Sequence, residues 1–258
     1  MKDLASYVRR PIAALGRRVL GTITGVSTSH PVIALTFDDG PHPQFTPMML
    51  EVLKRHRARA TFFMLGEYAR KYPGIVKSVA RDGHAIGNHS WDHPSFPVIS
   101  SKERRRQIRT CGQALVPYGN RIFRPPFGHQ TLRTRFDVLL LGYRVITWDV
   151  AADDWHDHDA RRIADRVGQQ AKPGSIILFH DALASVLEER HESREQTLEA
   201  VNMLLQNLGD RFRFVTVPEL LRHGRPQRVN WQRQPQVNLL KQLRNPGGKS
   251  CREETSHE

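Results

Sequence analysis

The sequence VIALTFDDGP, residues 32–41, combines an apolar run, two adjacent carboxylates and a turn signal. The run over residues 32–35 predicts a short buried strand, and the Gly-Pro pair after the carboxylates predicts a chain reversal. Asp38 and Asp39 are therefore expected at a strand mouth, where α/β folds bind ligands. Two carboxylates this close cannot both ionise freely without a nearby cation. The stretch thus predicts an acidic functional site that needs a metal or an arginine from elsewhere in the chain.

Outward from this stretch, short apolar runs alternate with amphipathic segments as far as residue 222. Strands are predicted over residues 32–37, 60–64, 84–88, 121–124, 143–149, 175–180 and 212–217, with helices over 46–57, 70–82, 101–116, 131–141, 160–171 and 194–208. This alternation is typical of βα units around a parallel sheet. Seven strands fit either a barrel of seven units or an open sheet, and periodicity alone does not separate the two.

The composition is that of one globular domain. A chain of 258 residues is long enough for a single sizeable core. No apolar stretch approaches the roughly 20 residues that span a bilayer, and the apolar stretch over residues 12–15 is too short for a secretory signal. We therefore expect a cytoplasmic protein without a signal peptide or a transmembrane helix. Cys111 and Cys251 have neither disulfide-framework nor zinc-ligand spacing, so we expect free thiols.

The formal net charge of +13 is concentrated at the two ends of the chain. Residues 1–30 carry five Lys or Arg against one Asp, and residues 223–258 carry seven against three Glu. We predict a basic N-terminal extension over 1–30, a catalytic domain over 31–222 and a basic, polar C-terminal extension over 223–258. The ends either stay solvated or attach the chain to an anionic membrane surface or an acidic polymer. No nucleic-acid recognition motif accompanies the charge, so no nucleic-acid partner is expected.

Two histidines four residues apart follow another predicted strand. His89 and His93 belong to the sequence HSWDH, residues 89–93. On a helical turn such residues share a face and can bind one metal, although similar pairs also occur without metal on surfaces and in cores. With one Asp from residues 38–39 they complete a ligand set that leaves positions open for water and substrate. That set is typical of a catalytic rather than a structural metal site.

Three further polar side chains follow other predicted strands. Arg124 begins the sequence RPPFG and either pairs with a surface acid or orients a carboxylate bidentately. His180 ends a predicted strand, where it is either a core residue or, with its ring fixed by an Asp partner, a general acid. Asp154 lies in DDW, after the strand predicted over 143–149. Because parallel strands bring their C-terminal ends to one face, we expect convergence of Asp38, His89, Arg124, Asp154 and His180.

These sequences resemble the five ordered motifs of the polysaccharide deacetylase family, carbohydrate esterase family 4, which shares the nodulation-deacetylase homology domain. The motifs are TFDDGP, HSWDH, RPPFG, DDW and LFH, and the resemblance covers about residues 30–222. It implies a distorted (β/α) barrel of about seven units and a divalent metal, often zinc. It also implies a hydrolase that removes acetyl groups from N-acetylated sugars of a poly- or oligosaccharide and releases acetate, as chitin oligosaccharide deacetylases do.

The resemblance assigns roles to ten residues of this chain. The implied metal ligands are Asp39, His89 and His93. The implied catalytic residues are the general base Asp38, the general acid His180, and their respective partners Arg124 and Asp154. The implied substrate-binding residues are Trp155 and Leu178, beside the acetyl methyl group, and Phe127, whose backbone N–H points toward the oxyanion.

Some positions depart from the usual family pattern. Ala151 stands where many members have Asp, and Phe127 stands where many have Tyr. His129, His156 and His158 are expected near the mouth, as solvated loop residues or, alternatively, as substrate contacts.

Other functions share part of this pattern. An esterase of O-acetylated polysaccharide fits the same motifs, and a non-catalytic metal-binding or glycan-binding module is the alternative outside enzymes. An iron oxygenase with two His and one carboxylate shares the ligand set but leaves Asp38, Arg124 and His180 without a role. A cytoplasmic biosynthetic intermediate or a lipid-linked saccharide at the inner membrane face would reconcile a glycan substrate with the expected cytoplasmic location.

Overall fold

A parallel sheet forms the centre of the computed structural model, which describes residues 20–184 and 193–235. The strands are β1 Thr22–Ser27, β2 Val32–Asp38, β3 Ala60–Met64, β4 Ala85–Asn88, β5 Gly119–Phe123, β6 Arg144–Val145, β7 Val150–Ala151, β8 Ile176–His180, β9 Arg213–Phe214 and β10 Arg225–Val229. The sheet has the order β6-β5-β4-β3-β2-β8-β7, with β9 beside the first residues of β2, and its pairings are parallel. The predicted distorted barrel of about seven (β/α) units is confirmed.

Helices connect these strands and cover the sheet. They are α1 Phe45–Arg55, α2 Gly66–Lys71, α3 Pro73–Arg81, α4 Ser101–Ala114, α5 Leu132–Leu140, α6 Ala160–Gln170, α7 Glu195–Leu208 and α8 Val217–Leu220, with short 3₁₀ turns at Phe96–Val98 and Pro126–Gly128. Helix α4 begins as predicted, since the Ser100 side chain accepts a hydrogen bond from the Glu103 N–H. Within the described ranges no helix has the length and apolar character needed to cross a membrane.

Both sides of the central strand β2 are buried, and each side packs in a different apolar cluster. Ile33, Leu35 and Phe37 pack in the cluster that includes side chains of the covering helices. Val32 and Ala34 pack in a second cluster, with residues that include Phe63 and Ile146. Because side chains alternate along a strand, Thr36 and Asp38 lie on this second face, inside the barrel. The alternation of β2 therefore directs the first motif carboxylate inward.

Two predicted elements have different bounds in the structure. The helix predicted over 70–82 consists of α2 and α3, which meet at Tyr72. Pro73 is the first residue of α3, a position where its missing N–H costs nothing. Of the strand predicted over 143–149, only the two residues of β6 form a strand, because the chain then pairs with β1 through Ile146 and Thr147. Strand β7 begins at residue 150, beyond the predicted end.

An antiparallel ribbon of β1 and β10 lies within the two predicted extensions. Ile23 and Val26 of β1 are buried in the interior cluster, and Trp231 contacts Trp148 edge to face and donates a hydrogen bond to the Gly128 carbonyl. Residues 22–27 and 225–229 therefore fold with the barrel. The domain boundaries at 31 and 222 remain a prediction, and residues 1–19 and 236–258, with Cys251 and most of the basic charge of the ends, lie outside the described residues. Cys111 is a buried free thiol.

Candidate active site

Side chains that follow five parallel strands meet at one end of the barrel. Asp38 ends β2 and His180 ends β8, and these two residues are paired in register. His89 follows β4, Arg124 follows β5 and Asp154 lies three residues after β7. The structure thus brings together the five residues whose positions after strands suggested convergence.

Asp39, His89 and His93 form a group that could hold a metal ion. Asp39 Oδ1 lies 3.2 Å from the Nε2 atoms of both His89 and His93, and the three candidate ligand atoms lie within 4.8 Å of one another. His89 Nδ1 lies 2.8 Å from the Arg124 carbonyl oxygen. Since that nitrogen must carry the proton to donate to a carbonyl, Nε2 keeps its lone pair for a metal.

Burial and charge give Asp39 and His93 the protonation states that metal ligands need. Burial raises the pKa of Asp39, but His93 and His89 outweigh it and hold that pKa below its usual range. Burial lowers the pKa of His93 to about 4, against the opposing charge of Asp39. Asp39 Oδ1 is buried and has no hydrogen-bond partner, a costly state unless a cation or a polar group lies beside it. The residues present therefore fit a bound divalent metal.

Asp38 is held by a buried arginine. Arg124 Nη1 donates to Asp38 Oδ1 at 2.7 Å and to Thr36 Oγ1 at 2.8 Å, and Nη2 donates to the Thr147 carbonyl at 3.0 Å. The guanidinium carbon lies 4.1 Å from the centre of the Phe63 ring. Burial lowers the pKa of Arg124, and Asp38 opposes that shift. The arrangement fixes one carboxylate oxygen of Asp38 and leaves Oδ2 facing His89, whose Nε2 lies 3.8 Å away.

His180 forms a pair with the fully buried carboxylate of Asp154. His180 Nδ1 lies 2.9 Å from Asp154 Oδ1, and Asp154 Oδ2 accepts hydrogen bonds from the His180 backbone N–H at 2.9 Å and from Thr197 Oγ1 at 3.0 Å. Burial lowers the pKa of His180, but Asp154 outweighs it and raises the pKa to about 9. The His180 ring therefore remains a doubly protonated imidazolium at neutral pH. Its Nδ1 is bound to Asp154, and its Nε2 can donate to another group.

Left-handed backbone is concentrated at this site. Six residues other than glycine have positive φ in the described ranges, and five of them belong to the motifs or their loops: Asp39, Ser90, His93, Phe127 and Asp153. Such conformations are strained for side chains with a Cβ and persist where surrounding contacts enforce them. The left-handed turn at Asp39, with φ of 72°, is what separates its side chain from that of Asp38.

The predicted substrate-binding residues have different surroundings. The Phe127 ring centre lies 4.4 Å from that of His93. Leu178 is buried on the same side of β8 as His180, two residues away. Trp155 has 47 % of its surface exposed and contacts the ring of His156. Phe127 and Leu178 thus lie beside the candidate metal ligands and His180, whereas Trp155 is about half exposed.

The three additional histidines near the mouth are not alike. His156 and His158 are exposed, as expected for solvated loop residues. His129 is buried, with Nδ1 3.1 Å from Ser95 Oγ, and burial lowers its pKa to about 4. The expectation of a solvated loop residue is therefore wrong for His129, because the loop after the RPPFG motif folds inward.

Several supporting residues were not predicted. Thr36, Thr147 and Thr197 bind Arg124 or Asp154 through single hydrogen bonds, and the Ala184 N–H donates to Asp39 Oδ2 at 3.0 Å. Arg194 donates to the Asp154 carbonyl at 3.0 Å. A lone Thr in a strand or helix carries no local signal of such a role. Arg194 is the first residue of a predicted helix, but neither its burial nor its partner can be read from the local sequence.

Asp181 is a buried acid beside the first motif. Its Oδ2 accepts a hydrogen bond from Thr46 Oγ1, and burial raises its pKa to about 7. A Cβ added at Gly40 would overlap the Asp181 carboxylate. Glycine at position 40 therefore allows this carboxylate to pack directly against the turn that carries Asp39.

Comparisons with known proteins agree with this geometry. The family model described as polysaccharide deacetylase matches residues 25–146. A chitooligosaccharide deacetylase of Azorhizobium caulinodans is 35% identical over 204 residues, which span 75% of this chain and 95% of that protein. A peptidoglycan-N-acetylglucosamine deacetylase of Bacillus cereus is 35% identical over 192 residues, or 73% and 67% of the two chains. A crystal structure of a peptidoglycan N-acetylglucosamine deacetylase superposes with a TM-score of 0.71 at 32% identity, covering 79% of this chain and 94% of the other.

Proposed function

The chain belongs to the polysaccharide deacetylase family, and from this membership we propose that it is a metal-dependent hydrolase of N-acetylated sugars in a poly- or oligosaccharide. The reaction cleaves an amide C–N bond and yields acetate and a free amino sugar. One observation carries the proposal: a fitting metal-ligand group lies between an arginine-bound carboxylate and an aspartate-bound imidazole. These groups supply a base, an acid and a cation site within one buried end of the barrel.

Asp39, His89 and His93 would hold the metal, and zinc is the ion we propose. One carboxylate and two neutral imidazoles are a common zinc donor set that leaves coordination positions open. When bound, a divalent ion supplies the positive charge that acidifies water and polarises an amide carbonyl. The hydrogen bond between His89 Nδ1 and the Arg124 carbonyl orients the His89 ring. The residue whose backbone orients this ligand is thus the one whose side chain binds Asp38.

Asp38 is the proposed general base. Arg124 binds its Oδ1 at 2.7 Å, and a charge-assisted hydrogen bond of this kind fixes the orientation of the carboxylate. Oδ2 is then free to accept the proton of the attacking water as it adds to the acetamide carbon. Thr36 and the Thr147 carbonyl hold the guanidinium from its other sides, so the base is positioned before substrate arrives.

His180 is the proposed general acid. Its Nδ1 is bound to Asp154, which leaves the Nε2 proton to be donated to the departing amine. Asp154 orients the ring and stabilises its charged form, and Thr197 in turn fixes Asp154. The base and the acid are thus opposite residues on adjacent strands, since Asp38 and His180 are paired in register.

The acetyl group of the substrate would lie between Asp38 and His180. We propose that Leu178 and Trp155 form the apolar wall beside its methyl group and that the Phe127 backbone N–H binds the oxyanion. Phe127 carries this role through the backbone, so the absence of the Tyr hydroxyl at this position does not remove it. The absence of an Asp at Ala151 leaves the His180 to Asp154 pair intact.

Release of acetate from defined substrates tests the proposal. The purified chain, loaded with zinc, is incubated with chitooligosaccharides, peptidoglycan and O-acetylated xylan, and free acetate is measured with and without a chelator. We expect release from an N-acetylated substrate that the chelator abolishes and that added zinc restores. Release from xylan alone would support the O-acetyl esterase instead. Zinc binding without release from any of the three would support a non-catalytic module.

The cellular location and the natural saccharide are separate proposals. We propose a cytoplasmic enzyme at the inner face of the membrane, acting on a lipid-linked or soluble saccharide, because the sequence concentrates positive charge at its ends. Cell fractionation with and without a high-salt wash tests this location. Recovery of the protein outside the cytoplasmic membrane would refute it.

A further inference from the structure

Helix α5 turns most of its apolar side chains toward solvent. Leu132, Phe136, Leu139 and Leu140 have 50%, 53%, 41% and 59% of their surface exposed. Their spacing places them on one face of the helix, because residues three, four, seven and eight apart lie along the same stripe. The result is a continuous apolar stripe that no described residue covers.

The side of α5 that faces the protein is mostly polar. Asp137 is buried and accepts hydrogen bonds from Arg104 at 2.7 Å and from Arg105 at 2.6 Å. Arg135 is also buried, and its Nη2 donates to Asn230 at 2.6 Å. An amphipathic helix at a protein surface normally packs its apolar stripe inward. In α5 only Val138 packs inward among apolar side chains. Polar contacts provide the rest of the attachment, and the apolar stripe is available to another surface.

The surroundings of the stripe are positively charged. Arg133 is exposed on the helix itself, and the Arg105 side chain is 33% exposed beside it. The carboxylate of the helix, Asp137, is buried and paired with Arg104 and Arg105, so it presents no negative charge at the surface. An occupant of this stripe must therefore offer both apolar surface and negative charge.

We propose that α5 is a docking face for an anionic lipid bilayer. The apolar stripe would enter the boundary between head groups and acyl chains, and Arg133 would contact lipid phosphates. A second copy of the chain fits less well, because a symmetric dimer brings like surfaces together. The exposed Arg133 of each copy would then lie near that of the other, and Asp137 is already shared by Arg104 and Arg105.

The position of α5 gives this docking a consequence for the candidate active site. Leu132 follows Phe127 by five residues, and the Phe127 ring lies 4.4 Å from that of His93. The apolar stripe therefore begins near the rim of the site. Docking would hold that rim close to the bilayer, within reach of saccharides attached to it. The docking itself does not depend on the proposed catalytic function.

Vesicle co-sedimentation of the full chain tests the proposal. The vesicles contain either phosphatidylcholine alone or an equimolar mixture with phosphatidylglycerol. We expect the wild-type chain to pellet with the anionic vesicles and to remain in solution with the neutral ones. In the double variant Phe136→Gln, Leu140→Gln, binding to anionic vesicles should weaken about tenfold or more, because two inserted apolar side chains are lost. Raising the salt concentration should weaken wild-type binding further.

A matched double variant is the control. Met48→Gln, Val116→Gln removes two other exposed apolar side chains, 41% and 71% exposed, and should bind like the wild type. Circular dichroism and thermal unfolding establish that both variants fold. Equal binding by the α5 variant and the wild type would place the contact elsewhere, including the basic ends, and would refute the proposal. So would a wild-type chain that pellets with neither vesicle, or a wild-type dimer that the α5 substitutions dissociate.

Discussion

Two adjacent residues of identical chemistry have different partners at this site. Asp38 continues the inward side of β2 and meets Arg124, whereas the left-handed backbone of Asp39 turns its carboxylate toward His89 and His93. Side-chain alternation alone would have sent Asp39 to the opposite face of the strand. The different roles that we propose for the two carboxylates therefore originate in one backbone dihedral angle.

The two roles can be separated by substitution. Asp38→Asn keeps the size of the side chain but removes the base, so we expect acetate release to fall about 10²- to 10⁴-fold while zinc content stays at the wild-type level. Asp39→Asn should instead lower zinc content, since a neutral amide is a poorer ligand than a carboxylate. Acetate release and metal content are measured on the same preparations. Loss of zinc in Asp38→Asn, or unchanged acetate release, would contradict the assignment.

The pH dependence of activity should report the pair of His180 and Asp154. The pKa of His180 is raised to about 9 by Asp154, so the protonated acid persists through neutral pH. A histidine pKa raised by folding contributes stability in full below its unfolded value of about 6.5. That contribution is lost as pH rises through about 9. In Asp154→Asn we expect the alkaline limb of the acetate-release profile to move about one pH unit or more lower.

The neighbouring acid provides the control for this shift. Asp153→Asn changes the same charge one residue away, and asparagine tolerates the left-handed backbone found at position 153. Its alkaline limb should match that of the wild type. Asp154→Asn should also lower the free energy of unfolding, and this loss should become smaller as pH rises toward 9. An unshifted limb in Asp154→Asn would remove His180 from the role of general acid.

At the scale of secondary-structure elements, the barrel strands were predictable because they are short, continuous apolar runs. Strand β3 has the predicted bounds, and β2 and β8 differ by one residue. The ends of these strands also located the candidate site. The ribbon was not predictable, because β10 has the polar sequence RPQRV and alternating exposure. Such a strand forms through pairing with β1 rather than through its own apolar pattern.

The supporting hydrogen bonds of the site were also beyond sequence patterning. Thr36 and Arg124 are 88 residues apart, and Ala184 and Asp39 are 145 residues apart. Their contact depends on strand register and loop conformation, which no local sequence signal encodes. Motif residues could be recognised because each has unusual chemistry for its local context, whereas a single buried threonine has none.

A glycine on one strand controls the packing of an aromatic ring on the next. A Cβ added at Gly87 of β4 would overlap the ring of Phe63 on β3, and that ring lies against the guanidinium of Arg124. We expect Gly87→Ala to lower the free energy of unfolding by roughly 1–3 kcal/mol. It should also reduce acetate release, because a displaced ring moves the partner of Asp38. Urea unfolding and steady-state kinetics measure the two effects.

Gly168→Ala is the matched control for that substitution. Gly168 lies within α6, and an added Cβ meets nothing within 4 Å. Alanine should therefore stabilise the helix by about 0.5–1 kcal/mol and leave acetate release unchanged. Equal stability of Gly87→Ala and the wild type would show that β3 and β4 can move apart without cost.

At the scale of the whole molecule, the sheet is completed by the segments nearest the two ends of the described chain. Strand β1 pairs with β10 and also bridges to Ile146, after β6, and to Ser175, before β8. The ribbon therefore contacts the sheet next to its edge strand β6 and next to β8, the neighbour of the other edge strand β7. Ile23 is fully buried there, so residues predicted to be an extension contribute to the barrel interior.

Truncation tests how far the folded unit extends beyond the predicted boundaries. A chain of residues 31–222 lacks β1 and β10 and with them the buried side chains of Ile23 and Val26. Large apolar side chains lost from a core cost about 2–5 kcal/mol each, so we expect this chain to be far less stable than the full chain or to remain unfolded. A chain of residues 20–235 keeps the ribbon and should unfold at the full-length midpoint. Thermal and urea unfolding measure the midpoints. Equal midpoints for 31–222 and the full chain would show that the ribbon is an extension that the barrel does not need for its stability.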